Sequence, residues 1–262
     1  MSKWPEAPAR HAVVCKDVCK EFYVYQHRAT SLREFFIRVM RRQRVREPQA
    51  TFMLKDLSFH VANGESVGLI GRNGSGKSTV LRMIAGVYRP TSGTVETHGR
   101  VAAALELGAG FAPDLTGSEN ISLKGTIMGM SSSEVDAQRD SIIDFAEIGD
   151  FIDTPMKYYS SGMRARLAFS IMFCIRPDIL LIDEVFAVGD EAFKEKCMQR
   201  LDDFRSGGGA MVIASHAGPI LRKQCIRGIW LENGTIRMDG VIGDVLDAYH
   251  ASSKNAPVRP SA

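Results

Sequence analysis

The run Gly71-Arg72-Asn73-Gly74-Ser75-Gly76-Lys77-Ser78 constrains this chain more than any other stretch, because its spacing suits a phosphate cradle made of backbone and one ammonium group. It matches the pattern GxxxxGK[ST] in full. Val67–Ile70, just before it, reads as a buried strand. Ser78–Ile84, just after it, opens a helix whose apolar positions recur at helical spacing. Strand, glycine-rich loop and helix in that order let backbone N–H groups converge on phosphate oxygens, with the helix N-terminus adding a favourable dipole. Lys77 is expected to reach the β- and γ-phosphates and Ser78 to bind Mg2+, while Gly71, Asn73, Gly74, Ser75, Gly76 and Thr79 complete the cradle.

A chain of 262 residues can bury a large core; it is long for one α/β unit and short for two. One core with an inserted subdomain fits best. That core is expected over 11–250, after an N-terminal tail (1–10) and before a disordered tail (251–262). With net charge +3 and 24% charged residues, the balance does not point to nucleic acid as a partner. No apolar run approaches the length of a membrane span, and the N-terminus has no basic segment leading into an apolar one, so the chain is expected in the cytosol. Five scattered cysteines without a CxxC pair predict reduced, structural thiols.

His11 to Phe22 reads as an opening strand, and Thr51 to Val61 as a second that turns through Asn63-Gly64 toward Val67. Between them, Arg28 to Glu47 holds seven Arg and two Glu, with Leu32, Phe35, Phe36 and Val39 at helical spacing. This basic amphipathic helix has two readings: a surface helix docked on its own domain, or a contact with an anionic membrane surface or a membrane-embedded partner. From Thr116 to Arg176 the pattern is helical. Ser131-Ser132-Ser133-Glu134 has capping-box spacing, Val135, Ile142 and Phe145 share one face, and Gly149 is expected to stop that helix.

Ile179–Ile182 is a continuous apolar run ending in Asp183-Glu184, and Met211–Ala214 ends at Ser215-His216, as buried parallel strands would. Ligands of parallel sheets bind beyond the strands' carboxyl ends, so Lys77, Asp183-Glu184 and His216 should converge on one nucleotide. Mg2+ prefers octahedral oxygen ligation, to which Ser78 and Asp183 would contribute one or two ligands. Glu184 is the candidate base for an attacking water, and His216 a γ-phosphate contact.

These residues resemble the ATP-binding subunit of ABC transporters, from about His11 to Tyr249. Tyr159-Ser160-Ser161-Gly162-Met163 looks like the family's signature LSGGQ, about twenty residues before the Asp183-Glu184 strand. Ala187-Val188-Gly189-Asp190 looks like its D-loop, and His216 like its switch histidine. Leu105-Glu106-Leu107-Gly108-Ala109-Gly110-Phe111 and Leu115-Thr116-Gly117-Ser118-Glu119-Asn120 are similar to the branch that exports bacterial surface polysaccharides.

The resemblance implies a P-loop NTPase core of α/β class with a mostly parallel sheet, an antiparallel β subdomain and an inserted helical subdomain at about 112–176. It implies an ATPase using ATP and Mg2+ to export a lipid-linked glycan, built as two ATPase subunits on two permease subunits at the inner membrane. Ser160 and Gly162 of one copy would meet the phosphate held by Lys77 of the other, with Asp190 nearby and Phe22, Tyr23 or Tyr25 stacking on adenine. Transport of another cargo, or a soluble ATPase, are the alternatives. The chain departs from the family in having no Gln between Thr97 and Glu119, where Glu106 is the nearest substitute. It also has Tyr159 and Met163 at the ends of the signature, and Ala217 after His216.

Overall fold

The computed structural model describes residues 11–24, 49–105, 110–174, 177–183, 191–215 and 218–254, and places the strand before the phosphate loop near the middle of a sheet. His11–Val24 (β1), Gln49–Ala62 (β2) and Ser92–Thr97 (β4) form an antiparallel three-stranded sheet in the order β2-β1-β4. Ser66–Ile70 (β3), Val101–Ala104 (β5), Ile179–Asp183 (β6), Ala210–Ala214 (β7), Arg227–Glu232 (β8) and Thr235–Val241 (β9) form the second, in the order β5-β6-β7-β3-β8-β9. All its pairings are parallel except β8 with β9. Every residue of β3 and β7, and all of β6 but Asp183, is buried, which is why these strands read as unbroken apolar runs rather than alternations.

The core divides by face. Val13, Leu54, Leu57 and Phe59 from the antiparallel sheet pack with Leu69, Leu81 and Ile229. On the other face, Ile182, Ile213 and Trp230 pack with Phe169, Phe193 and Leu246. Lys77–Ile84 (α1) follows the phosphate loop and buries Val80, Leu81, Met83 and Ile84. The fully buried strands and the helix thus fix where the loop between them sits.

A separate apolar cluster holds the helical segment together. Gly117–Ile127 (α2) starts with a capping box: Glu119 N–H donates to Thr116 Oγ1 at 3.2 Å, and Thr116 N–H to Glu119 Oε2 at 2.8 Å. The Thr116 N–H, joined by the Thr116 hydroxyl donating at 2.9 Å, holds the Glu119 carboxyl below its ordinary pKa. Ser132–Ala146 (α3) starts with the capping box expected at Ser131 and Glu134. Its end differs from the expectation: the chain leaves the helix at Glu147, itself left-handed with φ 53°, before Gly149 is reached. Two short 3-10 turns, Gly149–Asp153 and Met156–Tyr158, lead to Ser161–Cys174 (α4). Glu191–Ser206 (α5), Gly218–Gln224 (α6) and Ile242–Lys254 (α7) complete the helices, and α7 continues past residue 251, where composition predicts a disordered tail.

The Cys15, Cys197 and Cys225 thiols are free, and burial pushes each up to about 12, so they are held as unreactive thiols. Among the described residues, no helix is long and apolar enough to cross a membrane. The basic stretch 28–47 lies outside the described residues.

Asn120 is fully buried and spends its whole amide on the segment entering the helices. Its Oδ1 accepts from Ala112 N–H at 2.8 Å, and its Nδ2 donates to the carbonyls of Ala112, Leu115 and Thr116 at 3.0, 3.1 and 2.8 Å. Replacing it strands buried backbone groups. Asn120→Ala should lower the unfolding free energy by about 1–3 kcal/mol in urea denaturation, and an unchanged midpoint would contradict this role.

Candidate functional site

The phosphate loop is shaped by two close approaches of backbone. Gly76 has φ 108°, a left-handed conformation, and a Cβ there would collide with Leu54 of β2. Gly71 lies so close to the Leu231 carbonyl and the Ser75 side chain that a Cβ would overlap both. These contacts force glycine at both positions and press the loop against β2 and β8.

No side chain caps α1, whose N-cap is Gly76. The start of an α-helix leaves its first N–H groups without intrahelical acceptors, so they face the loop's concavity. Lys77 is only 5% exposed, and its ammonium donates to the carbonyls of Gly71 at 2.7 Å and Arg72 at 3.2 Å. Ser75 is likewise buried, and its Oγ makes no hydrogen bond.

A cavity of about 280 Å3 opens above the loop, lined by Met53, Asn73, Gly74, Gly76, Lys77, Ser78, Thr79 and Asp183. The lining supplies one ammonium, two hydroxyls, a helix N-terminus and one carboxylate, a donor set that fits a polyphosphate with a hard divalent cation. Strand order explains the meeting: β6, β7 and β3 are adjacent and parallel, so Asp183 and the phosphate loop emerge from the same end of the sheet. A larger open groove of about 710 Å3, bordered by His98, Asp178, Arg200 and Phe204, lies at the opposite strand ends and lacks such a donor set.

The structure therefore brings together the residues expected at the loop, with Asp183. Met53 joins them without a motif to announce it; the sequence marked it only as part of the strand expected over Thr51 to Val61. Phe22 is not part of the cavity wall. Its half-buried ring meets Tyr88 edge-on at 5.6 Å between centroids, with the Lys20 ammonium 5.1 Å from its own centroid.

Ser160 and Gly162 are also absent from that wall, at the start of α4. There Ser160 is exposed, and its Oγ accepts from Met163 N–H at 3.1 Å. The departure at Tyr159 has a physical reason. The residue is 2% exposed, and its hydroxyl donates to the Phe151 carbonyl at 2.6 Å, tying the turn before α4 to the preceding 3-10 turn. Glu106, Glu184, Asp190 and His216 lie outside the described residues.

Two substitutions separate the loop's packing from its polar inventory. Gly76→Ala should destabilise the protein by at least about 1–2 kcal/mol, the left-handed cost alone, and weaken nucleotide binding. Ser75→Ala, which removes a buried hydroxyl that makes no bond, should shift stability by less than about 1 kcal/mol. Thermal unfolding with and without nucleotide measures both, and equal effects of the two changes would contradict the packing described.

Comparison with known proteins shows the family. A family model for ABC transporters matches residues 54–187. The O-antigen export system ATP-binding protein RfbB of Klebsiella pneumoniae is 45% identical over 232 residues, covering 88% of this chain and 94% of that protein. The teichoic acids export ATP-binding protein TagH of Listeria monocytogenes serotype 4b (strain F2365) is 42% identical over 234 residues, 89% of this chain and 68% of that one. Among solved structures, a dimeric ATP-binding cassette in a post-hydrolysis state with ADP and Pi superposes with a TM-score of 0.69 at 22% identity, over 88% of this chain and 98% of that one. That likeness speaks for the fold. A full phosphate loop, an acidic strand end beside it and relatives matched along most of their length place this chain in the ABC transporter family, as an ATP-binding cassette with the family's ATPase domain.

Proposed function

We propose that this chain is the ATP-hydrolysing motor of a transporter that exports a lipid-linked polysaccharide through separate permease subunits, and that it works as two copies at the cytoplasmic face of the inner membrane. The observation that carries the reading is the incompleteness of one chain's site. The cavity holds Lys77, Ser78 and Asp183, while Ser160 and Gly162 stand outside it at an exposed helix start. A second copy turned toward the first would complete it. Similarity to export-system ATP-binding proteins over most of their length supports the cargo class.

In this reading Lys77 and the amides of the loop hold the β- and γ-phosphates of ATP. Ser78 and Asp183 would hold Mg2+, which when bound would supply positive charge against the phosphates. Glu184 orients or deprotonates the attacking water, His216 contacts the γ-phosphate, and Glu106 stands in for the missing Gln. Phe22 stacks on adenine, with Tyr23 or Tyr25 as the alternative stacking residues. Ser160 and Gly162 of the opposite copy close over the γ-phosphate, with Asp190 at the shared boundary. That Lys77, Ser78 and Asp183 line one cavity supports this reading.

Glu184→Gln should still bind MgATP, lose turnover by about a hundredfold or more, and accumulate as a dimer in size-exclusion chromatography. Wild-type turnover in that variant would remove Glu184 from the role. For the basic stretch, Arg38, Arg41 and Arg42 changed to Glu should reduce co-sedimentation with membranes while leaving ATP binding intact, and unchanged sedimentation would assign that stretch to its own domain's surface.

A further inference from the structure

Glu147 carries an arrangement that the turn it occupies does not require. It ends α3 in the left-handed region, with φ 53°, a conformation that suits glycine or asparagine better than a longer side chain. Its carboxylate takes two cations from two different helices. Oε2 accepts from Arg166 Nη1 of α4 at 3.1 Å, and Oε1 from Lys196 Nζ of α5. Around this three-way junction the aromatic rings interlock. The Arg166 guanidinium lies 5.4 Å from the Phe193 centroid of α5, and the Arg200 guanidinium of α5 lies 5.4 Å from the Phe145 centroid of α3. Phe193 meets Phe145 at 5.6 Å and Phe169 of α4 at 6.4 Å.

In the two-copy reading the junction joins the helix that begins at the Ser160–Gly162 turn and the helix that follows Asp190 in sequence. Residue Arg166 sits in the second turn of α4, whose first turn is capped by Ser160. α5 begins at Glu191, immediately after Asp190. A tilt of α4 about its contact with Glu147 therefore moves the Ser160–Gly162 turn relative to the core. The Glu147 side chain is 43% exposed and that of Lys196 45% exposed, a setting in which ion pairs add little to folding stability. Geometry, rather than stability, is what a carboxylate shared by two helices supplies.

We propose that Glu147 is a positioning residue for the composite site: by gripping Arg166 and Lys196 together it sets the angle at which Ser160 and Gly162 meet the nucleotide held by a second copy. The inference rests on the two-copy reading above, and the test separates the two. In the full-length Glu184→Gln protein, MgATP-driven dimerisation is measured by analytical ultracentrifugation, and nucleotide binding to the monomer by fluorescence of a labelled ATP. Adding Glu147→Gln should weaken dimerisation by about tenfold, while nucleotide binding changes by less than about twofold.

Arg166→Gln should weaken dimerisation similarly, and the double variant Glu147→Gln with Arg166→Gln should be no worse than either, as expected for residues acting through one contact. Asp247→Asn, which breaks the exposed pair of Arg222 with Asp247 on α6 and α7, is the control and should leave dimerisation unchanged. If the Glu184→Gln parent does not dimerise with MgATP, the two-copy reading falls and this inference with it. If the parent dimerises and Glu147→Gln does so equally well, or if the two losses simply add, the positioning role is overturned while the two-copy reading stands.

Discussion

The contact of Gly76 with Leu54, together with that of Gly71 with the Leu231 carbonyl, is the constraint on which the rest of the site depends. It holds a glycine-rich loop against two strands from different sheets. That pressure keeps the backbone in the left-handed turn from which α1 starts uncapped. Packing therefore keeps amide donors available to a ligand, and the large core behind β3 makes that packing stiff.

The second constraint is strand order. A phosphate loop alone binds phosphate; an acidic side chain must also arrive from elsewhere in the chain to hold a cation. The parallel neighbours β6, β7 and β3 bring this about by ending at the same edge, so residues more than a hundred positions apart in sequence share one cavity. The helical segment has an apolar cluster of its own, and α4 joins it to the core by placing Leu167 and Ile171 in that cluster and Ala168, Phe169 and Met172 in the core. Phe111 packs against both clusters and carries the Lys124 ammonium 4.3 Å from its ring centroid, where burial lowers the lysine's pKa. Asn120 clamps the residues next to it. Such a division suits a machine in which one part grips nucleotide and another presents a surface to a second copy.

The parts of this plan that were legible in the amino-acid sequence are those in which local chemistry and tertiary structure agree. The phosphate loop needs its glycines at fixed positions, β6 and β7 are buried on both faces and so read as apolar runs, and the Ser131 capping box forms as its spacing predicts. The sheet order was not legible, because register between distant strands is set by packing rather than by local pattern. Val101–Ala104 is short and nearly all alanine, and Thr235–Val241 alternates exposed and partly buried positions on an edge, so neither carries a strong strand signal. The end of α3 was misplaced by two residues because the ion pairs of Glu147 accompany a left-handed conformation that propensity alone assigns to glycine. Ser160 was legible as part of a motif but not as the cap of α4, a contact that depends on where the helix begins.

The central claim is that each nucleotide is held by two copies, one offering Lys77 and the other Ser160. It is tested most directly by mixing two variants of the full chain that are each inactive, Lys77→Ala and Ser160→Arg, and measuring MgATP hydrolysis after subunit exchange. A mixed pair contains one site with both intact halves, so the account predicts that hydrolysis returns on mixing. Two inactive proteins that stay inactive together, after exchange has been verified, would contradict it.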